Sequence, residues 1–340
     1  MDVLGHPLSE RRIVSERRTP TLATLLDGEA FRSQMLAEAR AGLSSPSKTL
    51  PPVWFYDEAG SQLFDEITRL DEYYPTRAEA ALLEAHSDDI ATMTGATSLL
   101  ELGAGTCEKS RILIEALRRH GTLTTFVPLD VSAETLERAS HELVAEFPGL
   151  EVHAMVADFL HHLGSLPSAT PLLVAFLGGT IGNLDPTGRR RFYADLDASL
   201  DSTDWLLLGC DLVKDSARLE AAYDDGRGVT AEFNRNALRV LNQELGATFV
   251  PERFEHVALF DTENEWIEMR LRSIGDQTVS LPGIDLEISF VDGEELRTEI
   301  SAKFTTERLR AELEKAGFVI DAMWDQPGGD FLLTLAHPYC

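Results

Sequence analysis

Three acidic side chains fall at the carboxyl ends of short apolar runs, where an open parallel sheet presents groups to a ligand. Glu101 lies in Leu99-Leu-Glu101-Leu-Gly103-Ala-Gly105-Thr106, Asp130 ends Thr125-Phe-Val-Pro-Leu-Asp130, and Asp158 follows Glu151-Val-His-Ala-Met-Val-Ala157. Gly103 and Gly105 let the chain turn sharply and let a ligand approach the main chain. An acid at Asp130 can accept both hydroxyls of a ribose, and Asp158 with Phe159 suits an adenine amino group and ring face. A dinucleotide fingerprint would want a small third residue where Glu108 stands. With Glu101 already at the end of the first strand, the set fits a nucleoside carrying a cationic tail better than a pyrophosphate. One acid after a strand is ordinarily a cap or turn residue. Three in register form a pattern.

The elements that must hold these acids follow from periodicity. A helix-like segment over 108–117 follows the glycines, and strands alternate with helices over 99–213, the mark of a doubly wound parallel sheet. Residues 171–177 are apolar throughout, as a central parallel strand is, and lead into Gly178-Gly-Thr-Ile-Gly-Asn183; 205–210 is a fifth strand. In its spacing this part of the chain resembles a class I S-adenosylmethionine-dependent methyltransferase. After Val213 a helical stretch holds Tyr223 and Phe233-Asn-Arg-Asn236. Period-two segments at 256–261, 266–274, 286–290 and 295–304 then form an antiparallel, meander-like unit. A helix over 306–316 and strands over 318–323 and 331–336 suit the closing hairpin of a methyltransferase sheet.

The expected fold is therefore α/β. A Rossmann-like methyltransferase sheet spans 78–212 and 304–340, and an α+β substrate-binding domain spans 25–77 and 213–303. Residues 1–24, with Arg11, Arg12, Arg17 and Arg18 but no apolar run, read as a disordered leader rather than a secretory signal.

The 340 residues carry 30 Lys and Arg against 57 Asp and Glu, a net charge of -27. Such a surface repels nucleic-acid phosphates and anionic lipid, whereas a small zwitterionic or cationic substrate is compatible with it. No apolar run approaches the length of a membrane span. Cys107, Cys210 and Cys340 are odd in number and lack metal-ligand spacing, as reduced thiols of a cytoplasmic protein would. His161-His162 has no second carboxylate–histidine cluster, so no metal is expected. Without a coiled-coil pattern, a monomer is the expected state.

Further stretches carry a closer resemblance. They are Phe55-Tyr-Asp57, Leu63-Phe-Asp65, Glu72-Tyr-Tyr-Pro-Thr-Arg77, Glu101-Leu-Gly-Ala-Gly-Thr106, Phe176-Leu-Gly-Gly-Thr-Ile-Gly-Asn-Leu184, Asp211-Leu-Val-Lys-Asp215, Tyr223-Asp-Asp225, Phe233-Asn-Arg-Asn236 and Glu299-Ile-Ser301. Together they resemble the ergothioneine-pathway L-histidine Nα-methyltransferases, a family that includes tryptophan-type N-methyltransferases. The resemblance implies a two-domain enzyme with its site in the cleft and no metal. It implies three methylations of the α-amino nitrogen of free histidine, through its mono- and dimethyl forms to hercynine, with S-adenosylmethionine as donor. It assigns Gly103 to backbone contact with the cofactor, Lys109 to the methionine carboxylate, Asp130 to the ribose, and Asp158 with Phe159 to the adenine. Around the substrate it places Tyr56, Phe64, Tyr73, Gly178, Thr180, Asn183, Tyr223, Met269, Glu299 and Ser301, with Tyr56 and Asn183 at the reacting amine.

Each of these residues also has an ordinary reading. Lys109 would be an exposed helix lysine, Asn183 a turn residue, and Met269, on the 267–271 face of its segment, plain core. Glu299 and Ser301 share a strand face, and a carboxylate beside a hydroxyl suits the two nitrogens of an imidazole. Arg297 and Lys303 share that face in a regular strand, so the residues alone read it as solvated. A rival of the same fold methylates tryptophan or a derivative; a buried carboxylate against an indole would then lack a matched partner. A rival of another class is a non-catalytic S-adenosylmethionine sensor, which the full set of substrate-side candidates disfavours. A nicotinamide oxidoreductase is disfavoured by Glu108.

Overall fold

Ser98-Leu-Leu-Glu-Leu102 and Leu172-Leu-Val-Ala-Phe176 are buried at every position, which requires inner strands of a sheet covered on both faces. A computed structural model describes residues 19–166, 170–326 and 328–339. In chain order its elements begin with β1 (Thr21–Thr24), α1 (Gly28–Leu43), α2 (Glu58–Ile67), α3 (Pro75–Thr94), β2 (Ser98–Leu102), α4 (Glu108–His120), β3 (Thr125–Asp130), α5 (Ala133–Glu146) and β4 (Glu151–Val156). They continue through β5 (Leu172–Phe176), α6 (Pro186–Asp197), β6 (Trp205–Asp211), α7 (Ser216–Tyr223), α8 (Val229–Leu245), β7 (Phe254–Asp261), β8 (Trp266–Ser273) and β9 (Gln277–Leu281). The chain ends with β10 (Leu286–Phe290), β11 (Glu295–Ala302), α9 (Thr306–Lys315), β12 (Phe318–Asp325) and β13 (Phe331–Pro338).

The main sheet has the order β1-β4-β3-β2-β5-β6-β13-β12. It is parallel except for the closing hairpin β12–β13. From β2 the chain works outward one way through β3 and β4, then crosses back to β5 and β6. The carboxyl ends of β2 and β5 thus border the crevice where such sheets bind ligands. Strand alternation divides the core: Leu99, Leu173 and Ala175 pack on the α3–α4 side, while Leu100, Val174 and Phe176 face α6 and α9.

The 256–304 segments lie outside this sheet. β7, β8 and β11 make a three-stranded antiparallel sheet, and β9 and β10 make a hairpin. β9 carries only the short Gln277-Thr-Val-Ser-Leu281 pattern and had no counterpart among the expected strands.

The N-terminal expectation needs correction. Thr21–Thr24, read as part of a disordered leader, instead pairs in parallel with β4 at the sheet edge. All four of its side chains are exposed, so the strand is held by backbone pairing and a Thr21 Oγ1–His153 Nδ1 hydrogen bond of 2.7 Å, and carries no apolar alternation to announce it. Arg11, Arg12, Arg17, Arg18 and Cys340 lie outside the described residues.

Candidate active site

The loop after β2 turns on Gly103 (φ 67°) and Gly105 (φ 50°), both left-handed, a conformation that suits glycine. The Gly105 N–H donates to Asp130 Oδ2 at 3.0 Å and the Ser132 N–H to Oδ1 at 3.0 Å. One acid therefore ties the glycine loop to the start of α5. Phe159 is fixed against Phe176 and Phe192, with ring centroids 5.1 and 6.1 Å apart, and its edge lies 3.9 Å from where a side chain on Gly103 would begin. Asp158 accepts from the Leu160 N–H at 2.8 Å and lies 2.7 Å from His161 Nδ1. His161 thus serves that carboxylate while His162 Nδ1 lies against the Asp158 backbone, and among the described residues no group is arranged to hold a metal.

Two acids, Glu101 and Glu79, are buried behind this loop. Glu101 is buried and accepts from Ser110 Oγ. Burial raises its carboxyl to about 8, against a partial counter-effect of Lys109, so a ligand ammonium would find an acid short of positive charge. Lys109 is not the exposed lysine of the ordinary reading. It pairs with Glu79, which is fully buried and accepts from the Gly178 N–H at 2.8 Å on both oxygens. Glu79 thereby joins α4 to the loop after β5. Sequence reasoning missed it; its one signal was a charge on the buried Ala78–Leu82–Leu83 face of α3.

Asn183 ends the short 3-10 turn Thr180–Asn183. A side chain on Gly182 would come within 2.8 Å of Ala302 O and 3.5 Å of Ser301 Oγ, so glycine is what lets this turn lie on β11. Asn183 is half-buried and its side chain has no hydrogen bond among the described residues. Thr180 Oγ1 donates to Leu177 O at 3.1 Å, and Gly178 is exposed at the loop surface.

β11 departs from a regular strand. Its register against β8 shifts between Arg297 and Glu299: Arg297 pairs with Arg270, but Glu299 pairs with Met269. The bulge sends Arg297 to the outer face, where it meets Glu268 at 3.0 Å. Glu299 and Ser301 stay on the inner face beside the buried Met269. Lys303 does share the inner side but is fully buried, so the solvated-face reading fails. The bulged residue, Thr298, donates to Asn234 Oδ1 at 2.6 Å, which gives Phe233-Asn-Arg-Asn236 one of its tasks. Another is Asn236, which donates to Asp57 Oδ1 at 2.7 Å and Phe55 O at 3.3 Å and so holds the backbone around Tyr56.

Aromatic rings run from Tyr56 to Phe64 (6.0 Å), Phe64 to Tyr73 (6.4 Å) and Tyr73 to Tyr223 (6.0 Å). The Tyr223 hydroxyl lies 2.8 Å from Ser301 Oγ. Tyr56 is 47% exposed, and the surrounding protein, Glu299 and Asp130 all raise its phenol. Burial also raises Tyr73 and Tyr223, and all three remain neutral phenols at physiological pH. The Glu299 carboxyl makes no hydrogen bond or ion pair among the described residues. Burial lifts its carboxyl to about 7, with Lys303 pulling the other way. An unpartnered acid among aromatic rings and hydroxyls suits a flat polar ring with an N–H to give.

Residues 35–338 match the family described as histidine-specific methyltransferase, SAM-dependent. The chain is 49% identical over 318 residues to histidine N-alpha-methyltransferase of Mycolicibacterium smegmatis, covering 94% of this chain and 99% of that one. It is 47% identical over 316 residues to histidine N-alpha-methyltransferase of Mycobacterium tuberculosis, covering 93% and 98%. It is also 28% identical over 328 residues to an L-tryptophan methyltransferase of Psilocybe serbica, covering 86% and 90%. With its methyltransferase sheet and a match over nearly its whole length, the chain belongs to the histidine-specific, S-adenosylmethionine-dependent methyltransferases.

Proposed function

We propose that the protein methylates the α-amino nitrogen of L-histidine three times, giving hercynine for ergothioneine biosynthesis. The observation that carries this reading is Glu299, an unpartnered, raised carboxyl beside the Ser301 hydroxyl on the inner face of β11. A carboxylate that accepts and a hydroxyl that donates match the two nitrogens of an imidazole. An indole, with a single N–H, would leave one of the two unmatched.

S-adenosylmethionine, when bound, supplies a methyl group on a positively charged sulfur. The residues that would hold it are Gly103, Lys109, Asp130, Asp158 and Phe159, with Glu101 near its cationic end. On the substrate side, Tyr56, Asn183 and Tyr223 orient the amine and carboxylate, and such alignment can contribute about 7–11 kcal/mol to the barrier reduction. The attacking amine must be neutral, and the adjacent sulfonium charge disfavours its ammonium form. The raised phenols stay neutral, so the proton shed at each methylation leaves to water and Tyr56 acts as a hydrogen-bond partner. Its ring, with those of Phe64 and Tyr73, lines the side where methyl groups accumulate. Aromatic faces attract quaternary ammonium groups, while Gly178 leaves them room.

In this reading residues 25–77 and 213–303 bind substrate and residues 78–212 and 304–340 bind cofactor. The protein acts as a cytoplasmic monomer, a location that the free, buried Cys107 and Cys210 support. Incubation with labelled cofactor and each of the twenty amino acids tests the reading. Histidine should gain three methyl groups by mass; labelling of tryptophan alone, or of nothing, would refute it.

A further inference from the structure

Lys303, the residue after β11, is fully buried. Its Nζ faces three oxygens: Asp211 Oδ2 at 3.0 Å, Tyr223 Oη at 2.9 Å and Ser301 Oγ at 2.9 Å. An ammonium has three protons and no lone pair, so these partners consume all it can give. Tyr223 and Ser301 also bond to each other at 2.8 Å. Each hydroxyl has one proton to donate. One of the two is spent on their mutual bond, and Lys303 fills an acceptor position on each oxygen. The pair is left with one proton for the pocket. Glu299, on the same face, can only accept as a carboxylate.

We propose that Lys303 is a positioning residue for the substrate ring. By filling an acceptor position on each hydroxyl it turns the Tyr223–Ser301 pair toward the ring as a donor beside the acceptor Glu299, so the pocket selects a ring with an N–H on one side and a bare nitrogen on the other. The inference rests on the placement of the imidazole between Glu299 and Ser301 proposed above. Lys303 acts through the two hydroxyls and does not touch the reacting nitrogen. Nor does Asp211 depend on it: Lys214 Nζ lies 2.5 Å away, and the Tyr74 hydroxyl donates to the same carboxylate at 2.8 Å. Replacing Lys303 therefore leaves that buried acid partnered.

The test compares histidine with 3-(2-thienyl)alanine, whose flat five-membered ring has neither N–H nor basic nitrogen. KM and kcat for histidine and the inhibition constant of thienylalanine are measured for the full-length wild type and Lys303→Met. The variant should raise the histidine KM roughly tenfold, the effect of one lost hydrogen bond to a specific partner. Its kcat should stay near wild type and its thienylalanine affinity should be unchanged. Equal weakening of both ligands would mean that the lysine only supports the fold, and an unchanged histidine KM would also overturn the inference. If Lys303→Met does not fold, Lys303→Gln carries the same comparison; because its amide keeps two N–H groups, the rise in histidine KM should be smaller, with thienylalanine affinity again unchanged. A wild-type protein that leaves histidine unmethylated would overturn the functional reading itself, and this inference with it.

Discussion

Glu299 stands directly across the β8–β11 ladder from Met269, while Arg297, two residues earlier, points to the other face. A regular strand would have put Arg297 beside the carboxylate and neutralised it. The bulge leaves Glu299 against a thioether, with the Lys303 charge directed at Asp211, Tyr223 and Ser301. A ligand N–H is then the partner the acid lacks.

Substrate choice should follow from that pairing. Glu299→Ala removes a charged acceptor, a contact that contributes about 1.5–3 kcal/mol, or roughly a ten- to hundredfold loss of histidine affinity. Discrimination against tryptophan should relax, and more so when Met269 is also made smaller, because the pocket becomes larger and less polar. Measuring kcat/KM for both amino acids in wild type and variant decides the matter. Equal ratios would leave Glu299 without a part in selection.

Cofactor affinity should depend on Asp130. Asp130→Ala should weaken S-adenosylmethionine binding by about 1–3 kcal/mol without unfolding the protein. Because Asp130 also accepts from Gly105 and Ser132, Asp130→Asn, which retains one acceptor oxygen, should fall between the two. Gly103→Val should weaken binding as well, since a β-branched residue at φ 67° is strained. Calorimetric affinities unchanged from wild type would remove both residues from the cofactor site.

Glu79 should matter for stability more than its place in a long helix suggests. Truncating one partner of a buried ion pair costs about 3–5 kcal/mol. Lys109 is 23% exposed and regains some hydration, which puts Glu79→Ala near the lower end. Glu79→Gln keeps an acceptor for the Gly178 N–H and should lose less. Urea unfolding of the three proteins measures this order, and equal midpoints would show that the pair is dispensable.

The sheet was legible because β2 and β5 are apolar runs ending in glycines, and each signal is local. The positions of Glu101, Asp130 and Asp158 followed from the same runs. Less accessible was whatever depends on contacts distant in sequence. β1 exists only through its pairing with β4. The bulge that turns Glu299 inward involves Asn234, 64 residues before Thr298. Lys303 looked solvated because the strand pattern gives a face but not what covers it, and what covers it is Asp211 and Tyr223. Gly182 was one glycine among several until Ala302 was seen beside it.

Stability should fall as pH rises through the titration of Glu101. Its carboxyl titrates at about 8 in the folded protein, chiefly because it is buried, against an ordinary value of 4.5. Between those pH values the folded protein holds a proton that the unfolded chain has released. The resulting stability is full below pH 4.5 and is lost as pH rises through about 8, falling by about 1.4 kcal/mol for each pH step of one across that window. Glu101→Gln cannot titrate, so wild type and variant should melt alike below pH 4.5, with the variant melting progressively higher from there to about pH 8 and beyond. The cofactor adds a second readout. If its ammonium pairs with Glu101, saturating S-adenosylmethionine should flatten the wild-type profile, and wild-type affinity should rise with pH more steeply than that of Glu101→Gln. Melting curves and calorimetric titrations from mild acid to mild base measure both effects. Parallel profiles for the two proteins, with and without the cofactor, would show that the acid is a structural group with no part in holding the ligand.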